Sequence, residues 1–153
     1  MENYIKAVLR ATGEAWAVFK IAASTGKNPK LAFEQLRAKY KGTDVEEYIA
    51  EYTKICEEEL PNISDAESYL KDAIDIGNKV FTVFKTNVKK VYAEEMTDGD
   101  WNRVIKMATD VGYAKWNPQV KEYAKRYSAM IVWELERVYQ RIHHIPKDWE
   151  KHI

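Results

Sequence analysis

Residues 69–91 read YLKDAIDIGNKVFTVFKTNVKKV, a long apolar-patterned stretch without proline. Leu70, Ile74, Gly77, Phe81, Phe84, Val88 and Val91 alternate spacings of four and three. That spacing is the seam of a helix packed along its length. Tyr69, Ala73, Ile76, Val80 and Val83 form a second seam beside the first. A helix apolar over so wide an arc belongs at the centre of a bundle. Glu67 to Lys71 and Asp75 to Lys79 are i,i+4 ion pairs expected on its wet side. Gly77 costs about 1 kcal/mol relative to alanine inside a helix, so a close helix crossing is expected there.

Punctuation on either side divides the chain into about six helices. The first runs roughly from Glu2 to Ala23, with Ile5, Leu9, Trp16 and Phe19 as its apolar positions. Ala7, Ala11, Ala15, Val18 and Ala22 make a stripe of small residues, the expected partner of Gly77. Gly26 is its stop. Asn28-Pro29 is a cap followed by proline at the first helical position, opening a short second helix that ends at Gly42. Thr43 with Glu46, and Ser64 with Glu67, have the spacing of capping boxes for the third and fourth helices. Pro61 ends the third. Thr97-Asp98-Gly99-Asp100 breaks the chain before a fifth helix carrying Trp101, Val104, Ile105, Ala108 and Val111, which Gly112 ends. Asn117-Pro118 repeats the cap-and-proline signal before a long sixth helix. Its seam is Val120, Ala124, Tyr127, Ile131, Leu135, Val138 and Ile142. The reading is an all-α, single-domain bundle over 1–145, with a long central fourth helix and a long sixth helix. Residues 146–153, with Trp149 between Ile145 and Ile153 at spacings of four, read as an amphipathic tail that docks on the bundle or on a partner.

Lysine plus arginine equals aspartate plus glutamate at 24 each, so no net field draws the protein to nucleic acid or membrane. Cys56 is the sole cysteine, so no intramolecular disulfide forms. The start Met1-Glu2-Asn3-Tyr4 lacks a signal-peptide pattern. The longest uncharged run, Tyr127 to Trp133, is far shorter than a membrane span. The expectation is a cytoplasmic protein, or one of the host cytoplasm if the source is viral.

Chemistry-bearing groups are sparse. Cys56 lies mid-helix on an apolar flank and reads as core, and no serine stands in a nucleophile elbow. His143, His144 and His152 are the only histidines with Asp148 nearby, and adjacent histidines on a helix point apart. The acidic turn Glu94, Glu95, Asp98 and Asp100 lacks the spacing of a calcium loop. No catalytic, metal or cofactor residue is therefore expected. Glu47 and Glu51 share a face of the third helix, and Asp72 and Asp75 lie on the fourth. This arrangement resembles helical nucleotide pyrophosphatases of the MazG type, whose paired carboxylates hold magnesium against phosphates. The family's first pair is Glu-x-x-Glu, whereas Glu47 and Glu51 are four apart.

Between Trp101 and Tyr127, Ala108-x-x-x-Gly112-Tyr113 resembles the turn of a helix-turn-helix, with Met107 and Val111 at its apolar places. Val111-Gly112-Tyr113 is similar to the turn of AraC-type DNA-binding domains. The resemblance implies base and phosphate contacts from Lys121, Tyr123, Lys125, Arg126 and Tyr127. Pro118 interrupts the helix that would enter the groove.

The aromatic content points elsewhere. Ten tyrosines and five tryptophans are types enriched at protein interfaces. In the sixth helix Trp133 lies almost opposite the Val120–Ile142 seam, with Tyr123 and Met130 between the two. Either that helix is buried on two sides or Trp133 belongs to an interface. The expected function is non-enzymatic protein binding through a helical aromatic surface, as in regulators, inhibitors and small phage accessory proteins. A protein partner or self-association is expected, with nucleic acid second and no membrane. The candidate contacts are Tyr123, Met130 and Trp133, with Lys125 and Arg126 at the rim and Trp149 in the tail.

Overall fold

A computed structural model describes residues 1–143. Six α-helices make up the described chain: α1 (Glu2–Thr25), α2 (Lys30–Lys39), α3 (Glu46–Glu59), α4 (Ala66–Ala93), α5 (Asp98–Gly112) and α6 (Lys121–His143). Short 3₁₀ turns at Leu60–Asn62 and Pro118–Val120 lead into α4 and α6. The buried apolar side chains form one core cluster. Among the described residues no helix is long and apolar enough to cross a membrane. The expected tail, with Trp149, lies outside the described residues.

The helices begin where local donors find acceptors, though not always at the expected residue. Asn28 Oδ1 accepts the backbone N–H of Lys30 at 3.0 Å, and Pro29 stands at the cap, one place earlier than expected. The Thr43–Glu46 box does not close, because Glu46 instead accepts the N–H of Gly42 at 3.1 Å. Ser64 does not cap α4. Its backbone N–H and hydroxyl both donate to Gln119 Oε1 at 3.1 Å, and Asp65 caps the helix. A true reciprocal box forms in the stretch expected only to break the chain. Asp100 N–H donates to Thr97 Oγ1 at 3.1 Å, and Thr97 N–H donates to Asp100 Oδ2 at 2.9 Å. Lys90, at 2.9 Å, and Thr97 hold the Asp100 carboxyl well below the usual carboxylate range.

On α4 the buried stripe is Tyr69, Ala73, Ile76, Val80, Val83, Phe84, Val88 and Val91. It begins on the second seam and ends on the first, as a 3.6-residue helix drifts against a seven-residue repeat. The N-terminal half of the first seam is correspondingly turned outward, and Ile74 is half exposed. Helix α4 packs against α1, α5 and α6, and α6 packs against α3, α4 and α5. These two helices are the centre of the bundle.

The close crossing is not at Gly77, whose missing Cβ would meet nothing within 4 Å. It is at Gly112, where a Cβ would fall 2.4 Å from Ser128 Oγ and 3.4 Å from Lys125 Cα. The end of α5 therefore lies directly on the backbone of α6. Gly112→Ala is expected to cost about 1–3 kcal/mol through overpacking, partly recovered when Ser128→Ala accompanies it. Gly77→Ala is expected to gain up to about 1 kcal/mol. Urea unfolding midpoints of the variants check both signs.

Candidate functional site

The position of α6 decides which of its residues can meet another molecule. With neighbours on three sides, it buries Tyr123, Ala124, Tyr127, Ser128, Met130, Ile131, Val132, Glu134, Leu135 and Val138. Tyr123 and Met130 are 0% and 1% exposed, which corrects their expected role as contacts. Tyr123 stacks on Phe19 with centroids 6.0 Å apart, and its hydroxyl meets that of Tyr52 at 2.9 Å. Beside this pair Tyr48 bonds Tyr127 at 3.2 Å and Thr12 at 2.7 Å. Burial pushes the Tyr48 hydroxyl up to about 12 and holds those of Tyr52, Tyr123 and Tyr127 well above the usual tyrosine range. These tyrosines fill the core and satisfy one another.

The opposite face of α6 is open. Lys125, Ala129 and Trp133, each four residues from the next, form a ridge with Arg126 and Glu136 beside it. Trp133 is 55% exposed. On one side the ridge borders a groove of about 350 Å³ against α3, lined by Glu51, Lys54 and Ile55. On the other it borders a groove of about 370 Å³ against α5, lined by Ile105, Thr109 and Tyr113. Lys125, Ala129 and Trp133 line both grooves. Tyr113 is 70% exposed, and Lys125 Nζ sits 5.1 Å from its ring centroid. Ile105 is 46% exposed. The surface is thus apolar and aromatic at the middle, with charges of both signs around it. Sequence reading missed Ile105, Tyr113 and Ala129. Ile105 and Tyr113 are eight residues apart at helical spacing, so their shared outer face was readable in principle.

The helix-turn-helix arrangement does not assemble as expected. Tyr123 and Tyr127 point into the core, where they cannot read bases. Lys125 pairs with Glu122 at 3.6 Å and Arg126 with Glu58 at 2.9 Å. Basic and aromatic side chains that alternate in sequence are thus separated, one set outward and the other inward.

The four carboxylates of the pyrophosphatase resemblance do not converge. Glu47 and Glu51 face Arg137, at 3.1 and 2.8 Å. Asp72 accepts the backbone N–H of Asn117 at 2.8 Å, and Asp75 pairs with Lys79 at 3.5 Å. A guanidinium thus stands where that chemistry would place a cation. Among the described residues no group of three or more His, Cys, Asp or Glu is placed to hold a metal ion. His143 Nε2 lies 3.0 Å from the carbonyl of Val91; His144, Asp148 and His152 lie outside the described residues. Cys56 is fully buried, and burial pushes its thiol up, away from nucleophilic use.

Arg137 also closes a buried network behind the ridge. Its Nε donates to Glu134 Oε1 at 2.9 Å, while the Tyr4 hydroxyl donates to the other oxygen of Glu134. Glu134 is 0% exposed. Burial raises its carboxyl, against the pull of Tyr4 and Arg137. The network ties α1 and α3 to α6 and fixes the helix that presents Trp133. Compared with family models, with curated proteins and with solved structures, the chain matches none.

Proposed function

We propose that the protein acts by binding another protein chain through the α6 ridge, as a non-enzymatic regulatory or inhibitory protein, with Trp133 as the anchor. The observation that carries this reading is the exposure of a tryptophan in the middle of two grooves, on a helix that buries Tyr123 and Tyr127 and half-buries Tyr139. Exposed aromatics that cluster with apolar neighbours and a charged rim mark interaction surfaces. A residue that fills a groove at the centre of an interface is the kind that dominates binding energy. Tyr113 and Ile105 extend the apolar area towards α5, and Lys54, Lys125 and Arg126 supply the basic rim.

Trp133→Ala is expected to leave the helical fold intact and to cost less than the core substitutions on α6, because more than half of the residue is in water. The same variant is expected to lose the complex that the wild-type protein forms in its native cell. Leu31→Ala, which trims an exposed side chain on α2 away from the ridge, is expected to keep it. Denaturant unfolding and the mass of the complexes isolated with each variant check both halves. Unfolding of Trp133→Ala, or a complex kept intact without Trp133, contradicts the proposal.

A further inference from the structure

The ridge carries information about what covers it. Along α6 the outward positions run Glu122, Arg126, Ala129, Trp133, Glu136 and Gln140, a seam of alternating spacings of four and three. Such a seam suits a second helix laid along it. Two properties of the order matter. The one large residue, Trp133, stands next to the one small residue, Ala129, which lines both grooves. Charge also alternates along the ridge, acidic at Glu122, basic at Lys125 and Arg126, which pair within the chain with Glu122 and Glu58, and acidic again at Glu136. A partner helix that ran the other way with the same sequence would complement both properties at once.

We propose that the occupant is a second copy of this chain, docked through α6 against α6 about a two-fold axis that crosses the helices near Ile131. This rests on the reading of the ridge as a binding surface and names its partner. In the antiparallel register Trp133 of each copy lies over Ala129 of the other and fills the space beside that small side chain. Arg126 of each copy faces Glu136 of the other. A two-fold contact uses the same patch twice, so it demands a patch that is its own complement; this ridge holds knob and hole, base and acid. A parallel register would set tryptophan on tryptophan and like charge on like.

The test is the solution mass of the full-length chain from micromolar to millimolar concentration, by sedimentation equilibrium, with circular dichroism as the folding control. The wild type is expected to pass from one chain to two. Trp133→Ala is expected to weaken the dimer roughly tenfold or more, since each substitution acts twice across the axis. Arg126→Glu and Glu136→Arg, each alone, are expected to stay at one chain, because each sets like charges opposite one another. Mixed in equal amounts, these two variants are expected to regain the two-chain mass, since each altered charge then meets its opposite. A wild type that stays at one chain throughout, single reversals that still dimerise, or a mixture that does not, each overturns the two-fold dimer.

Iodide quenching separates this failure from failure of the binding surface itself. The contribution of Trp133 is taken as the difference between wild type and Trp133→Phe. A monomer whose Trp133 is quenched overturns the dimer and leaves the ridge open to a different protein. A monomer whose Trp133 is shielded overturns both readings, because the ridge is then covered within the chain.

Discussion

Arg137→Met is expected to destabilise the protein by about 3–5 kcal/mol at neutral pH, because it strands a buried carboxylate. Glu134 is 0% exposed, and among the described residues its side-chain donors are the Tyr4 hydroxyl and Arg137. Methionine stands in for the aliphatic stem of the arginine and removes the charged guanidinium. The Glu134 carboxyl, already raised by burial, then loses the guanidinium that pulls it back. A carboxyl whose pKa in the fold is above its unfolded value stabilises below the unfolded value and loses that contribution as pH rises through the folded one. The deficit of the variant is therefore expected to be largest at alkaline pH and to narrow as the pH falls towards the ordinary range of Glu. Adding Glu134→Gln removes the stranded charge and is expected to recover much of the loss, because the Tyr4 hydroxyl keeps an acceptor. Denaturant unfolding of the single and double variants across this pH range checks the size, the sign and the recovery.

Tyr123→Ala is expected to cost about 3–5 kcal/mol, as for other large aromatics removed from a core. The ring stacks on Phe19 and meets Tyr69, Tyr52 and Tyr127 at centroid distances between 5.6 and 6.5 Å. Its loss opens a cavity among four aromatic neighbours and leaves the Tyr52 hydroxyl without its partner. Tyr123→Phe keeps the ring and is expected to cost about 1–3 kcal/mol, the penalty for one buried hydroxyl left unpaired. The contrast with Trp133→Ala is the useful one. Both residues lie on α6 ten positions apart, and one substitution is expected to disrupt the fold while the other leaves it intact. Thermal unfolding of Tyr123→Ala, Tyr123→Phe and Trp133→Ala side by side checks this ordering.

Which helices form, and that α4 and α6 lie at the centre, could be read from spacing alone, because burial of an apolar stripe overrides most local detail. The caps were less legible. Thr43, Ser64 and Thr97 have similar surroundings in sequence, but only Thr97 closes a reciprocal box. Ser64 is diverted by Gln119, which is distant in the chain. The close crossing was misplaced for the same reason. Gly77 and Gly112 are both helical glycines, and only the packing partner, Ser128, distinguishes them. On α6 the seam and Trp133 were assigned to opposite faces as the structure has them. Tyr123 and Met130 lie between those faces, where helical phase alone does not say how far neighbours wrap around. That α3, α4 and α5 all pack on α6 buries both of them. Glu134 offered no signal in the sequence, since a buried glutamate is recognised only by the Tyr4 and Arg137 that satisfy it. The α5 part of the surface is obscured in the sequence because Ile105 stands beside Val104 among the apolar residues of the fifth helix, and Tyr113 stands in a turn.

The claim that Trp133 is a covered contact in the working protein, and not an idle surface residue, is tested most directly by hydroxyl-radical footprinting. The protein is oxidised in the assembly isolated from its cell and again after dilution to the free chain, and modification of Trp133 is read by mass spectrometry. Trp133 should be protected in the assembly and become strongly oxidised in the free chain, while exposed Leu31 reacts equally in both. Equal oxidation of Trp133 in the two states would contradict the account.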